Sequence, residues 1–492
     1  INPASGVTVS VSANLAGAVA LTHSGAGTAN LSGYNAYTGT TTLNSSGGVL
    51  AITGSGSLSG TSAGVYSGAI AIGSGATFKY SSSATQTLQT GVISGAGNLT
   101  KDTDASSVLT LTGSNTYSGV TTINAGTISV ATIGNGLSAG NLGAATNAAT
   151  NLVLGGGTLK YTGVTATSDR AFTITGSTIG TIDVPTGVSL TLAGATGTTT
   201  SGALTKTNSG TLNLTGVNTY TGATTISAGT LAITGSGSLN SGSYAGAIAN
   251  SGAFIYSSSA TQTLSGIISG SGTLTKDTGS SSVLTLSNTN TYSGITTISA
   301  GTISISADAN LGTASTLVAT QLTLSGGILQ TTASFTLATN RGITLSTGGG
   351  TINVNSGITT IYGGTISGTT IFTKDGLGTF VLTGTKTDTA NPTYIVIKQG
   401  TYTVRSDSPQ IDSQTFTGAG NLIIEPVSTS FTTNPLDTLN IKLVTITGSV
   451  PNSGLLGSLI VGKSGNLSTI NISGDITTAG NQTFYGPVTL SA

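Results

Sequence analysis

The segment Leu109–Val130, LTLTGSNTYSGVTTINAGTISV, returns as LNLTGVNTYTGATTISAGTLAI at Leu212–Ile233 and as LTLSNTNTYSGITTISAGTISI at Leu284–Ile305. A looser copy, ANLSGYNAYTGTTTLNSSGGVLAI, occupies Ala29–Ile52. Short β-forming segments separated by glycine turns cannot each bury an apolar face, so successive copies must stack on their neighbours. That requirement predicts an all-β chain folded as a β-solenoid, a single-stranded parallel β-helix. Coils of about twenty residues would give about 24 rungs, spaced ~4.8 Å apart.

Local patterning agrees. Strands are marked by alternation in Thr121-Thr122-Ile123-Asn124 and Gly126-Thr127-Ile128-Ser129-Val130, and Gly-containing dipeptides close them. The predicted inward ladders use Leu109, Leu111, Ile123 and Ile128, with Leu212, Leu214, Ile226 and Leu231 as their equivalents. Upstream of each copy stands a Leu-Thr-Lys signature, at Leu99–Lys101, Leu204–Lys206 and Leu274–Lys276, with variants at Leu21–His23 and Phe372–Lys374. The last of these introduces a decayed copy at Phe380–Val404. The intervening stretches are duplicated too. Gly54–Gly97 shares GSGSL and YSSSATQTL with Gly235–Gly272, and Asn141–Gly194 matches Asn310–Gly363, with Arg170 and Arg341 in equivalent places. Pro409, Pro426, Pro435, Pro451 and Pro487 follow in a region without the signature. The chain is therefore read as a repeat-bearing β-helix over 1–405 and a divergent C-terminal part of the same solenoid over 406–492.

The pattern resembles the autotransporter-associated β-strand repeat of bacterial passenger domains, and the SDRAFTIT and GTIDV blocks look like its usual companions. The resemblance implies a right-handed parallel β-helix exported to the outer surface of a Gram-negative bacterium. The family's membrane β-barrel has no counterpart in the segment read here. The terminal AGNQTFYGPVTL resembles repeats of large filamentous adhesins. With no Met in the chain, Ile1 is not a translation start, so a removed secretion leader is expected.

Composition narrows function. Charged residues are 5% of the chain against an expected ~25%, and net charge is +0. Neutrality removes the electrostatic case for nucleic acid or an anionic membrane. No apolar run approaches the ~20 residues of a membrane-spanning helix. Without cysteine, neither disulfides nor thiolate metal sites are available. No cofactor or metal is expected. Glu425 is the only glutamate and His23 the only histidine. Because His23 occupies a position that elsewhere holds lysine, it is read as structural. Arg405, Asp407 and Asp412 form the densest charge cluster and read as a solvated turn; no catalytic residue is assigned and the chain is read as a non-enzyme.

Tyr37, Tyr117, Tyr220 and Tyr292 recur in the Asn-Thr/Ala-Tyr-Ser/Thr-Gly turn. Their period is shared by Asn and Gly, which favours a turn anchor, with the hydroxyl reaching solvent or a backbone group, over a sugar-binding platform. The stretch 1–78 carries no Asp, Glu, Lys or Arg. Such a stretch lacks the charges that normally protect strand edges, which points to a self-associating structural subunit of a fibre, sheath or surface layer. Val7, Val9, Val11, Leu15 and Val19 are the proposed assembly contact, and a homo-oligomer or polymer is expected. The alternative is an adhesin binding glycans or proteins on host or neighbouring cells. A third reading, ice binding, rests on the pairs Thr121-Thr122, Thr224-Thr225 and Thr296-Thr297, but adjacent strand residues point to opposite faces.

Overall fold

A computed structural model describes residues 1–405 except 45–46, 90, 104, 199, 280, 315–317 and 388–393. Beyond 405 it describes the strands Thr415–Thr417, Asn421–Glu425, Thr438–Ile441, Thr445–Ile446, Ser458–Val461, Thr469–Ser473, Gln482–Phe484 and Val488–Ser491. Every strand ladder given by these residues is parallel, and they contain no α-helix, only three short 3₁₀ turns. Among the described residues no helix is long and apolar enough to cross a membrane. The chain is an all-β parallel β-solenoid of about 17 turns. Twenty-residue coils would give more, but coil length varies. One turn closes between Thr211 and its register partner Thr230, whereas another runs from Thr121 to Leu152 and carries a long loop.

Contacts group the chain into two compact units, Ile1–Phe254 and Ile255–Ala492. In the first, one ladder runs through Thr8–Val11, Thr28–Leu31, Val49–Gly54, Thr77–Ser82, Asn98–Asp102 and Thr121–Ala125. A second runs through Ala63–Tyr66, Thr85–Leu88, Val108–Leu111 and Thr127–Val130. In the second unit, Val283–Leu286, Thr302–Ile305, Ile328–Thr331 and Gly350–Val354 stack in the same manner.

Strand alternation decides what each ladder buries. Leu109, Leu111, Ile123, Ile128, Leu212, Leu214, Ile226 and Leu231 are all buried, as their parity requires. Burying each such side chain contributes roughly 1.5–3 kcal/mol. Two glycines per repeat make this stacking possible. The glycine after the tyrosine lies against the preceding turn, where a Cβ at Gly119 would stand 2.1 Å from the Gly97 carbonyl oxygen and one at Gly222 2.4 Å from that of Gly202. The glycine of the Ala-Gly-Thr turn adopts a left-handed conformation, with φ of +68° at both Gly126 and Gly229.

Candidate functional site

Alternation sends much of the repeat's polar chemistry inward. In Leu-Thr-Lys the lysine shares the parity of the leucine, and Lys101, Lys206, Lys276 and Lys374 are all 0% exposed. Each ammonium is spent on turn carbonyls. Lys206 Nζ donates to the carbonyls of Thr207 and Asn208, both at 2.7 Å, and Lys374 Nζ to those of Asp375 and Gly376, also at 2.7 Å. Lys101 and Lys276 donate to the carbonyls of Thr103 and Thr278. Lys101 also lies over the Tyr80 ring and Lys276 over the Tyr256 ring. His23 is buried at the same position, but neither ring nitrogen has a partner among the described residues, and burial lowers its pKa.

The repeat's tyrosines are inside as well. Their hydroxyls meet neither solvent nor backbone first, but the inward threonine four residues on: Tyr37 with Thr41, Tyr117 with Thr121 and Tyr292 with Thr296, each at 2.7 Å, and Tyr220 with Thr224 at 3.1 Å. In all three threonine pairs, Thr121-Thr122, Thr224-Thr225 and Thr296-Thr297, the leading threonine is buried and the second faces outward. The neighbouring asparagine clips successive turns together. Asn115 Oδ1 accepts from the Ile93 amide at 2.9 Å, while its Nδ2 donates to the Asn141 carbonyl at 2.8 Å. Asn290 repeats this between Ile268 and Asn310.

What packs beside each tyrosine follows the duplicated blocks. Tyr66 and Tyr244 meet Tyr37 and Tyr220 edge to face, with ring centroids 5.7 and 5.8 Å apart. In the other block type a buried arginine takes the neighbouring place. Arg170 donates to the carbonyls of Gly134 and Gly143. Arg341 donates to the carbonyls of Leu311 and Gly312 and pairs with Asp308 through Nε at 2.9 Å.

These buried groups predict how stability changes with pH. Burial lowers Lys206 and Lys374 from 10.5 to about 8. Between those values the unfolded chain holds more protons, so stability rises as pH increases. Burial raises Tyr117 and Tyr292 from 10.0 to about 12, so their contribution is complete below pH 10 and is lost above it. The thermal midpoint is therefore expected to rise from pH 8 to about 10 and to fall beyond. A pH series by circular dichroism checks this, and Lys206→Met with Lys374→Met should flatten the rise.

With those groups held inside, the outward ladders form the exposed faces of the coil. In the first unit they form a groove of about 640 Å³ across successive turns. Asn30, Ala51, Lys79 and Thr100 stand in register along it, flanked by Thr28, Val49 and Thr77 in a parallel row. From the strand Val49–Gly54 the side chains of Val49, Ala51 and Thr53 line it, and Ala51 is buried. At one side Lys79 Nζ lies 2.5 Å from Asp102 Oδ2, and the Ser81 hydroxyl donates to the other carboxylate oxygen. Burial alone would raise the Asp102 pKa, but these partners hold it below the usual carboxylate value. The groove thus presents hydroxyls, an amide and an internally neutralised ion pair. It was not singled out in the sequence, although the outward parity of these positions was readable there.

The proposed assembly residues lie apart from the groove. Val9 and Val11 stand in register with the buried Ala29 and Leu31, yet Val9 is exposed and Val11 half-buried. Val7 and Val19 are exposed and Leu15 is half-buried. Asp407 and Asp412 lie outside the described residues, as does the side chain of Arg405. Among the described residues no three His, Cys, Asp or Glu side chains gather as metal ligands.

Residues 21–52, 106–130, 204–233, 278–305 and 372–395 match the family model of the passenger-associated-transport-repeat. The first four matches cover the four repeat copies, and the fifth covers residues 380–395 of the decayed one. Over 242 residues the chain is 38% identical to a protein named adhesin BmaC autotransporter, from Brucella suis biovar 1 (strain 1330). That alignment covers 43% of this chain and 7% of the Brucella protein.

Proposed function

We infer that this chain, whose repeats are similar to the passenger-associated-transport-repeat, is an autotransporter passenger segment exported to the Gram-negative cell surface and acts there as a non-catalytic adhesive solenoid that holds host or neighbouring-cell surfaces. The observation carrying this reading is the similarity over 242 residues to a protein named as an adhesin. The distribution of chemistry supports it. Lysines and arginines that a lyase or hydrolase would place in a cleft instead bind turn carbonyls inside the coil. Outward positions carry hydroxyl ladders such as Thr275, Thr297, Thr323 and Thr344, whose register follows the stacked turns. Many weak polar contacts repeated along a ladder suit adhesion through multivalency.

The test is attachment of the purified chain, displayed on beads, to cultured epithelial cells and to bacteria. Saturable attachment well above an albumin-coated control is expected; attachment no greater than that control contradicts the reading.

Self-association through Val7, Val9, Val11, Leu15 and Val19, none of which is buried, is a second proposal. Lysine at Val9 and Val11 would place ammonium groups in that contact. Polymers seen by electron microscopy that disappear in this double variant support assembly; polymers that persist contradict it.

A further inference from the structure

We propose that the groove floored by Ala51 is a saccharide-binding site that accepts a neutral pyranose segment of a cell-surface glycan; this rests on the adhesive reading above. It is an open depression of about 640 Å³ that runs across successive turns. The lining suits a sugar on both of its aspects. Val49 and Ala51 provide an apolar floor for the C–H face of the ring, while Thr28, Asn30 and Thr77 surround it with groups that donate and accept hydrogen bonds. Lys79 and Asp102 add a fixed donor and acceptor. Because they neutralise each other at 2.5 Å, they favour an uncharged ligand over an anionic one.

The chain contains its own comparison. TFKYSSSATQTL at Thr77–Leu88 recurs as AFIYSSSATQTL at Ala253–Leu264, so that Ala253 and Ile255 stand where the first copy has Thr77 and Lys79. Neighbouring positions persist, with Asn213, Ala232 and Asp277 equivalent to Asn30, Ala51 and Asp102. The second copy therefore keeps these three residues, has Thr230 and Ser299 where the first has Val49 and Asn124, and loses the polar groups of Thr77 and Lys79 that face the first groove. These two positions distinguish a recognition role from a structural one, since the duplicate strand folds with Ala and Ile there.

The experiment measures binding of the whole chain to immobilised neutral oligosaccharides, namely N-acetyllactosamine, mannotriose and cellotetraose, beside attachment to epithelial cells. The variant is Thr77→Ala with Lys79→Ile, with Asn30→Ala as a second, independent change. Binding to at least one sugar is expected, and each variant should weaken it by about tenfold or more while leaving the circular dichroism melt unchanged. Wild-type attachment to cells without binding to any sugar overturns this inference and leaves the adhesive reading standing. Equal sugar binding by wild type and both variants places recognition elsewhere and likewise overturns it. Failure of the wild type to bind either cells or sugars rejects both.

Discussion

Arg341→Met is expected to lower the stability of the second unit by about 3–5 kcal/mol, the range for breaking a buried ion pair from one side. Arg341 is 1% exposed, and its guanidinium meets both oxygens of Asp308 and the carbonyls of Leu311 and Gly312. Asp308 also accepts the Ala338 amide, so one side chain joins the 3₁₀ turn Asp308–Leu311 to the following turn of the solenoid. Methionine replaces the aliphatic stem but leaves a carboxylate and two carbonyls without their donor. Arg170→Met should cost less, because Arg170 makes its two recorded hydrogen bonds to carbonyls and none to a carboxylate. Urea unfolding followed by circular dichroism measures both. Arg341→Met within about 1 kcal/mol of wild type would mean that the clamp contributes no more than an exposed ion pair.

The other large effect is Leu329→Asp, for which a loss of at least about 4 kcal/mol is expected. Leu329 is fully buried between Ile303 and Ile352 in its ladder, so both ladder neighbours of the new carboxyl group are aliphatic. Ile226→Asp is the informative contrast. Both positions are equally buried and the sequence alone would rank them together. The register, however, places Ile226 between Lys206 and Asn250. An aspartate there stands one rung from a buried ammonium, which offsets part of its desolvation cost. Thermal melts should therefore place Ile226→Asp closer to wild type than Leu329→Asp. The opposite order would contradict the register.

The same two positions show how much was legible in the sequence. Alternation located the strands and assigned Leu109, Ile123, Ile226 and Leu231 to the interior, because parity along a strand is strict. Stacking followed from repetition, and the family matches overlap all five repeat segments read from the sequence, the decayed one only as far as residue 395. Parity applied to Leu-Thr-Lys also puts the lysine on the inward face, although lysine is usually exposed. The carbonyls that receive it belong to turns whose geometry no local pattern reveals. Likewise Tyr117 was legible as a turn anchor while its partner, Thr121, was not, since a turn must close before the two meet. Coil length was the weakest reading: the loop between Thr121 and Leu152 interrupts the repeat without changing its register. The groove needed neighbouring turns to be aligned, because Asn30, Ala51, Lys79 and Thr100 belong to four strands.

The central claim is that the motif lysines point into the coil and the remaining surface is left for contact. Brief acetylation of the folded chain at neutral pH, read by mass spectrometry at each lysine, tests it most directly. Lys160 and Lys398, both exposed, should be modified rapidly, whereas Lys101, Lys206, Lys276 and Lys374 should stay protected until the chain is unfolded in denaturant. Acetylation of the four motif lysines at the rate of Lys160 in the folded protein would place them outside and contradict the register on which this account rests.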